Sequence, residues 1–186
     1  MRNRSNAALF WPLLLVVLVV DVVTKAIAER ALLPRGIPHD VLGSWFRFTL
    51  VYNPGAAFGL NVGPQSRWIF SALTIVALVI LARLYLTTRA GHTARVSALA
   101  LVCAGAVGNL IDRLRSFFGV VDFIDVGIGD ARWPTFNVAD MAVSVGALLL
   151  AYVLWQEDQA AHAASPPMSP VAIPASASGG EPGDLV

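Results

Sequence analysis

Four long apolar runs alternate with shorter polar segments along the chain. A helix needs about 20 residues to cross the hydrocarbon core of a bilayer. The uncharged stretches are shorter than this, so each helix must carry polar residues into the membrane edge. We therefore predict four membrane-spanning helices, at about residues 7–28, 67–86, 95–114 and 138–156.

The loops between these helices carry two further patterns. Residues 46–52 and 120–126 alternate β-branched or aromatic positions with others, which predicts two short strands. Asn53-Pro54-Gly55 is a turn signal. The small residues that follow it allow close backbone approach or a short helix lying at the membrane interface.

The even number of spans places both chain ends on one side of the membrane. The long loops 29–66 and 115–137 then lie together on the other side. The polar ends of all four predicted helices that face these loops should converge there. Lys and Arg counts in the loops do not decide which side is cytoplasmic under the positive-inside rule.

Composition supports the membrane assignment. The chain has 186 residues, of which 56% are hydrophobic and 13% charged, whereas a soluble domain carries about 25% charged residues. Its mean hydropathy is +0.67. The net charge of +1 gives no indication of a nucleic-acid partner. The chain has one cysteine, Cys103, which excludes an internal disulfide, and Cys/His metal spacing is absent.

The tail, residues 157–186, is rich in Ala, Ser, Pro and Gly. This composition cannot bury a core, so we predict a disordered tail that is dispensable for chemistry.

The first apolar run has two interpretations. It could be a signal peptide, because Ala26-Ile27-Ala28 resembles a cleavage site. Asp21 and Lys25 fit a retained helix better, since residues four apart share a helix face and can pair. This pair either lets the helix end sit among headgroups or supports a functional site.

Two aspartates stand in apolar surroundings, Asp122 in Val-Val-Asp-Phe-Ile and Asp140 in Phe-Asn-Val-Ala-Asp. Placing a carboxylate at the edge of a bilayer costs free energy, so such a group is usually paired with another or takes part in a function. Two neighbouring carboxyl groups are the smallest set of side chains that can catalyse hydrolysis by acid–base chemistry without a metal. Asn137 is a candidate N-cap of the fourth helix, which would place Asp140 in its first turn.

Other polar residues flank this pair. Asn109, Asp112 and Arg113 share one face at the end of the third helix. Gly105 and Gly108 are spaced for tight helix contact. Asn53 could orient a carboxylate or hold a peptide backbone, or serve only as a turn residue.

These residues alone leave several functions open. A transporter also uses membrane acids with arginine partners, although its charges belong near mid-helix, and ion flux in vesicles would reveal it. A metal-dependent hydrolase would use oxygen ligands, and chelators would stop it. A membrane scaffold would use the aspartates only as caps and turns. The four oxygen ligands considered for the metal site are Asp122, Asp125, Asp130 and Asp140.

Taken together, the motifs over about residues 7–156 resemble those of lipoprotein signal peptidase (signal peptidase II), in the order and at the spacing of that family. The motifs are Asp21 with Lys25, Asn53-x-Gly55-Ala56-Ala57-Phe58, Gly108-Asn109-Leu110-Ile111-Asp112-Arg113, Val121-Asp122-Phe123 and Phe136-Asn137-x-Ala139-Asp140. Met141 stands where the family often has Ser or Ala, and the tail lies outside the pattern.

The resemblance implies an all-α membrane protein, a four-transmembrane-helix bundle with a small extracytoplasmic β-cradle and a short interfacial helix. It implies an aspartyl endopeptidase of the bacterial inner membrane, acting as a monomer without cofactor or metal, with both termini cytoplasmic. The substrates would be diacylglyceryl-modified prolipoproteins, cut just before the lipidated cysteine. Asp122 and Asp140 map onto the family's catalytic aspartates. The supporting and substrate-binding positions map onto Asp21, Lys25, Asn53, Gly55, Asn109, Asp112, Arg113, Asn137 and Ala139.

Overall fold

Four long helices dominate the computed structural model, which describes residues 4–55 and 63–164. Each helix is long and apolar enough to cross a membrane, which confirms the four predicted spans. The helices are α1 (Arg4–Ala31), α2 (Ser66–Thr87), α3 (Thr93–Arg115) and α4 (Val138–Ala164).

The fourth helix corrects the predicted domain boundary. The composition predicts that the tail begins at residue 157, but α4 continues to Ala164. The continuation is rich in alanine, the strongest helix former. Glu157 also anchors it to α3, because its carboxylate lies 2.7 Å from Nη1 of Arg95. The rest of the predicted tail lies outside the described residues.

Helix α3 forms the centre of the bundle. Its most apolar window is 44% buried, against 11–17% for the other three helices. Side chains of α1 and α2 pack on it through Phe10, Leu14 and Leu81. Gly105 and Gly108 make the close contact that their spacing predicts, because a Cβ at Gly105 would collide with the backbone carbonyl of Ala139 in α4.

A small antiparallel sheet in the order β1-β2-β3-β4 covers one end of the bundle. Strands β2 and β3 confirm the two predicted strands. The sheet packs on the end of α1 through a second apolar cluster that includes Ala28, Leu50 and Val121. The strands are β1 (Pro38–Leu42), β2 (Phe46–Asn53), β3 (Val120–Ile128) and β4 (Ala131–Arg132). The predicted interfacial helix after Asn53 falls on residues 56–62, outside the described residues.

The opposite end of the bundle gathers the start of α1, the α2–α3 loop and the end of α4. The side-chain amide of Asn6 donates to the carbonyl of Arg89 at 3.1 Å, and Arg95 pairs with Glu157. The two ends of the described chain are therefore on one side, and the sheet is on the other. This arrangement confirms the predicted convergence of the polar helix ends beside the two long loops.

Candidate functional site

Asp122 lies in the buried part of β3, with only 2% of its surface exposed. Register places Val51 of β2 opposite it, and Asn53 opposite Val120. The side chain of Asn53 hydrogen-bonds the Asp122 carboxylate. The amide of Asn137 also donates to Oδ1 of Asp122 at 2.7 Å.

Asp140 lies in the first turn of α4, where Asn137 is the N-cap. The backbone N–H of Asp140 donates to Oδ1 of Asn137 at 2.9 Å, and the backbone N–H of Asn137 donates to Oδ2 of Asp140 at 3.2 Å. This reciprocal pair is a capping box. The other carboxylate oxygen accepts from the amide of Asn109 at 2.8 Å.

Asn137 therefore contacts both aspartates. Its side-chain oxygen and backbone N–H bind Asp140, while its amide nitrogen binds Asp122. The N-cap role predicted from the sequence is present, but it does not account for the hydrogen bonds that the amide nitrogen of Asn137 donates. Each aspartate is fixed relative to the other through one fully buried side chain.

The surroundings of Asp122 favour its protonated form. Burial is the largest effect, and the charge of Asp140 adds to it; together they raise the pKa of Asp122 to about 7. Hydrogen bonds from Asn137 and Asn53 oppose this shift because they stabilise the carboxylate. Asp122 therefore carries its proton over a range in which an ordinary aspartate is ionised.

A buried cation, Lys25, supports the two aspartates through residues that neighbour them. Lys25 is 1% exposed, and its Nζ lies 2.8 Å from Asp21 and 2.9 Å from Asp112. It also donates to Oδ1 of Asn109 at 3.0 Å, which leaves the amide group of Asn109 for Asp140. The predicted pairing of Asp21 with Lys25 thus extends to a third acid.

Asp21 and Asp112, the two acids that pair with Lys25, bind the backbone of the helix and the strand that carry Asp140 and Asp122. Asp21 accepts the backbone N–H of Ala139 at 2.8 Å, next to Asp140. Asp112 accepts the backbone N–H of Val121 at 3.3 Å, next to Asp122. The ion cluster therefore positions the backbone on either side of the site.

The Asn53-Pro54-Gly55 turn is held in a similar way. The N–H of Gly55 donates to Oδ1 of Asn53 at 3.0 Å, which leaves the amide of Asn53 for Asp122. Arg113, which is buried, donates through Nη2 to the carbonyl of Gly55 at 2.9 Å. All the site residues predicted from the sequence thus lie within one connected network.

Both aspartates line a cavity of about 460 Å³. Asn53, Asn109 and Arg113 complete its polar side. The apolar side cannot be identified from residue types alone, because its members carry no reactive groups and come from the β4–α4 loop and one face of α4. They include Trp133, Pro134, Phe136, Met141, Val143 and Val145.

Asp125 belongs to a different cluster. Its carboxylate lies 2.6 Å from Nε of Arg132 and 3.0 Å from Nη2 of Arg47, and it accepts the hydroxyl of Thr49. Burial opposes its ionisation, but the hydrogen bonds from Arg132, Thr49 and Arg47 outweigh burial and lower its pKa. Within residues 4–55 and 63–164, no three acidic, His or Cys side chains are grouped to hold a metal, so the four-aspartate ligand set does not assemble.

Comparisons with known proteins agree with one another. A family model described as "Signal peptidase (SPase) II" matches residues 13–156. The chain is 45% identical over 142 residues to a protein named "Lipoprotein signal peptidase" from Burkholderia thailandensis, covering 74% of this chain and 82% of that protein. A protein of the same name from Paraburkholderia phytofirmans is 43% identical over 138 residues, covering 73% and 78%.

Two solved structures are similar as well. Both are titled as a bacterial membrane enzyme structure obtained by the in meso method. The first has a TM-score of 0.70 at 31% identity and covers 78% of this chain and 87% of that chain. The second has a TM-score of 0.66 at 32% identity and covers 76% and 89%.

Proposed function

The chain belongs to the signal peptidase II family, and on that premise we propose that it removes signal peptides from diacylglyceryl-modified prolipoproteins as an aspartyl endopeptidase. The observation that carries this proposal is Asn137, a single buried side chain hydrogen-bonded to both Asp122 and Asp140 beside a cavity. Two carboxylates in such proximity share one proton at moderate pH. A proton-sharing pair is what hydrolysis of a peptide bond without a metal needs.

The contacts favour different roles for the two aspartates. Asp122 is the more buried, and its pKa of about 7 suits a protonated acid. Asp140 is only half-buried and accepts N–H bonds on both oxygens, which suits a charged base. We assign Asp122 as the group that hydrogen-bonds the scissile carbonyl and Asp140 as the group that activates water.

The proton balance follows from this assignment. Asp140 takes a proton from water as the water oxygen attacks the carbonyl carbon, and Asp122 gives its proton to the carbonyl oxygen. When the C–N bond breaks, Asp140 gives its proton to the leaving amine. One hydroxyl of the tetrahedral intermediate returns its proton to Asp122 as the new carboxyl group forms. The pair ends with a single proton, as it began.

The cavity suits a substrate that is part peptide and part lipid. Asn53 and Arg113 line the polar side of the cavity beside the aspartates, and the remaining supporting residues fix them in place. Trp133, Met141 and Val145 form an apolar wall on the α4 side. We propose that this wall receives apolar parts of the substrate, with the cut falling just before the lipidated cysteine.

The direct test is cleavage of a diacylglyceryl-modified prolipoprotein by the purified protein. Asp122→Asn and Asp140→Asn should each reduce turnover by about 10²–10⁴-fold, the usual contribution of a general acid or base. Asp130→Asn is the matched control, because Asp130 is exposed in the turn between β3 and β4. Retained turnover in either site variant, with the control also active, would contradict the dyad.

We further propose that the sheet end of the bundle faces outward from the bacterial inner membrane and both termini face the cytoplasm. Single cysteines in a Cys103→Ser background can test this. In spheroplasts, an impermeant maleimide should label Asp130→Cys directly and Ala90→Cys only after permeabilisation. The reverse pattern would overturn the orientation without affecting the dyad.

We propose that the enzyme acts as a monomer, because a single chain supplies both aspartates and the Asn137 side chain that binds them. Mass photometry in nanodiscs at concentrations that support turnover would check this. Activity confined to dimers would contradict it.

A further inference from the structure

Arg35 packs against two aromatic rings, outside the cavity that holds the two aspartates. Its Cζ is 4.2 Å from the ring centroid of Tyr52 and 4.2 Å from that of Phe118. The two ring centroids are themselves 5.5 Å apart at an interplanar angle of 61°, so the rings form a corner against the guanidinium and do not sandwich it. Within residues 4–55 and 63–164, its N–H donors make no hydrogen bond, and they are therefore available to a ligand. Among the described residues, no carboxylate pairs with Arg35.

Neighbouring contacts fix this arrangement. Gly36 follows with φ of +76°, and its N–H donates to the carbonyl of Leu50 at 3.0 Å, which ties the turn to β2. The hydroxyl of Tyr52 donates to Glu29 at 2.9 Å. The other oxygen of Glu29 lies 3.1 Å from Nη2 of Arg115, so this acid is occupied by groups other than Arg35.

Arg35 lines a cavity of about 560 Å³, separate from the one that holds the aspartates. The cavity lies between β2 and the segment after α3, and its walls include Val51, Pro54, Phe117 and Phe118. Phe117 is 86% exposed. An aromatic ring so exposed is unfavourable in water but typical of the interface between membrane and water.

The cavity lies at the depth where lipid headgroups are found. Arg35 follows the end of α1 at Ala31, and the two phenylalanines follow the end of α3 at Arg115. Arg67, in the first turn of α2, stacks at 4.4 Å over Trp68. Helix ends that cross a bilayer reach the headgroup layer, where interfacial aromatic and basic residues concentrate.

We propose that this cavity binds an anionic glycerophospholipid, with the guanidinium of Arg35 donating to the headgroup phosphate and the two phenylalanines contacting the acyl chains. A guanidinium matches a phosphate through paired N–H donors. The apolar walls offer nothing to a free phosphate ion but suit the chains attached to a lipid. Among the described residues, no hydrogen bond or ion pair joins a residue of this cavity to the carboxylate of Asp122 or Asp140, although the backbone of Val51 pairs with that of Asp122 in the sheet. The proposal therefore concerns a site other than the peptidase site.

The test compares lipid binding to full-length purified variants by native mass spectrometry in detergent. The probes are phosphatidylglycerol, phosphatidylcholine and inorganic phosphate. Arg35→Gln should weaken phosphatidylglycerol binding by about tenfold or more, as expected for lost charge-assisted hydrogen bonds. Arg30→Gln removes the same charge from the exposed end of α1, outside the cavity, and should change binding by less than about twofold.

Three results would overturn the proposal: equal affinity for both lipids, equal weakening in both variants, or inorganic phosphate competing as well as the lipid. Thermal unfolding in phosphatidylcholine alone shows whether each variant is folded. If Arg35→Gln does not fold, Arg35→Lys replaces it in the test. Lysine keeps the charge but lacks the planar paired donors, so unchanged phosphatidylglycerol binding by that variant would also contradict the proposal.

Discussion

Replacing Asn137 with serine should move the alkaline limb of the pH–rate profile to higher pH. The amide of Asn137 donates to Asp122 at 2.7 Å and stabilises its ionised form. Serine lacks this amide. It still offers an oxygen to the backbone N–H of Asp140, and Ser is among the preferred N-caps, so the first turn of α4 keeps its cap.

The size of the shift follows from the strength of the lost contact. A hydrogen bond to a charged group contributes about 1.5–3 kcal/mol, and one pKa unit corresponds to about 1.4 kcal/mol. The pKa of Asp122, about 7 in the native site, should therefore rise by about one to two units. Because the raised pKa keeps the acid protonated to higher pH, activity should persist further into the alkaline range.

The assay is kcat/KM for a diacylglyceryl-modified prolipoprotein in detergent micelles, measured across the neutral and alkaline range. The midpoint of the alkaline limb reports the pKa independently of any fall in the maximum rate. Asn6→Ser is the matched control, because Asn6 is buried at the opposite end of the bundle and contacts only the α2–α3 loop region in the described hydrogen bonds. A midpoint that stays in place or moves to lower pH would refute the assignment of Asp122 as the acid.

Three further predictions address the support of the site and the tail. Lys25→Met should destabilise the fold by about 3–5 kcal/mol, because it leaves the buried Asp21 without a cation and Asp112 with only the exposed Arg115; a thermal-unfolding midpoint equal to that of the wild type would contradict this. Gly105→Ala should destabilise by about 1–3 kcal/mol through overpacking against Ala139, measured by the same unfolding assay. Deletion of residues 165–186 should leave turnover within about twofold of the wild-type rate, and loss of activity in a folded truncated protein would assign the tail a role.

The sequence predicted the spans because hydropathy needs no knowledge of tertiary contacts. It also predicted β2 and β3, since alternation is local, and the convergence of polar ends, since an even number of spans requires it. The end of α4 escaped prediction because the ion pair between Glu157 and Arg95 joins residues far apart in the chain. Helix propensity alone does not place such a boundary.

The candidate site, like the fold, could be predicted from the sequence only in part. Residue types and spacing identified both aspartates and the residues around them, but not which atoms meet. The sequence predicts Asn137 as an N-cap, which is a local role. Its contact with Asp122 depends on β3 lying beside the first turn of α4, and that placement depends on Lys25 and its two acids.

The shared dependence on Asn137 has a consequence for biosynthesis. Asp122 follows the third span in the chain, whereas Asn137 and Asp140 are made only with the fourth. A nascent chain with three inserted helices therefore carries one acid without its partner or the amide that orients it. On the mechanism proposed above, such a chain cannot cut signal peptides, so proteolytic competence arises only when the last helix has entered the bilayer.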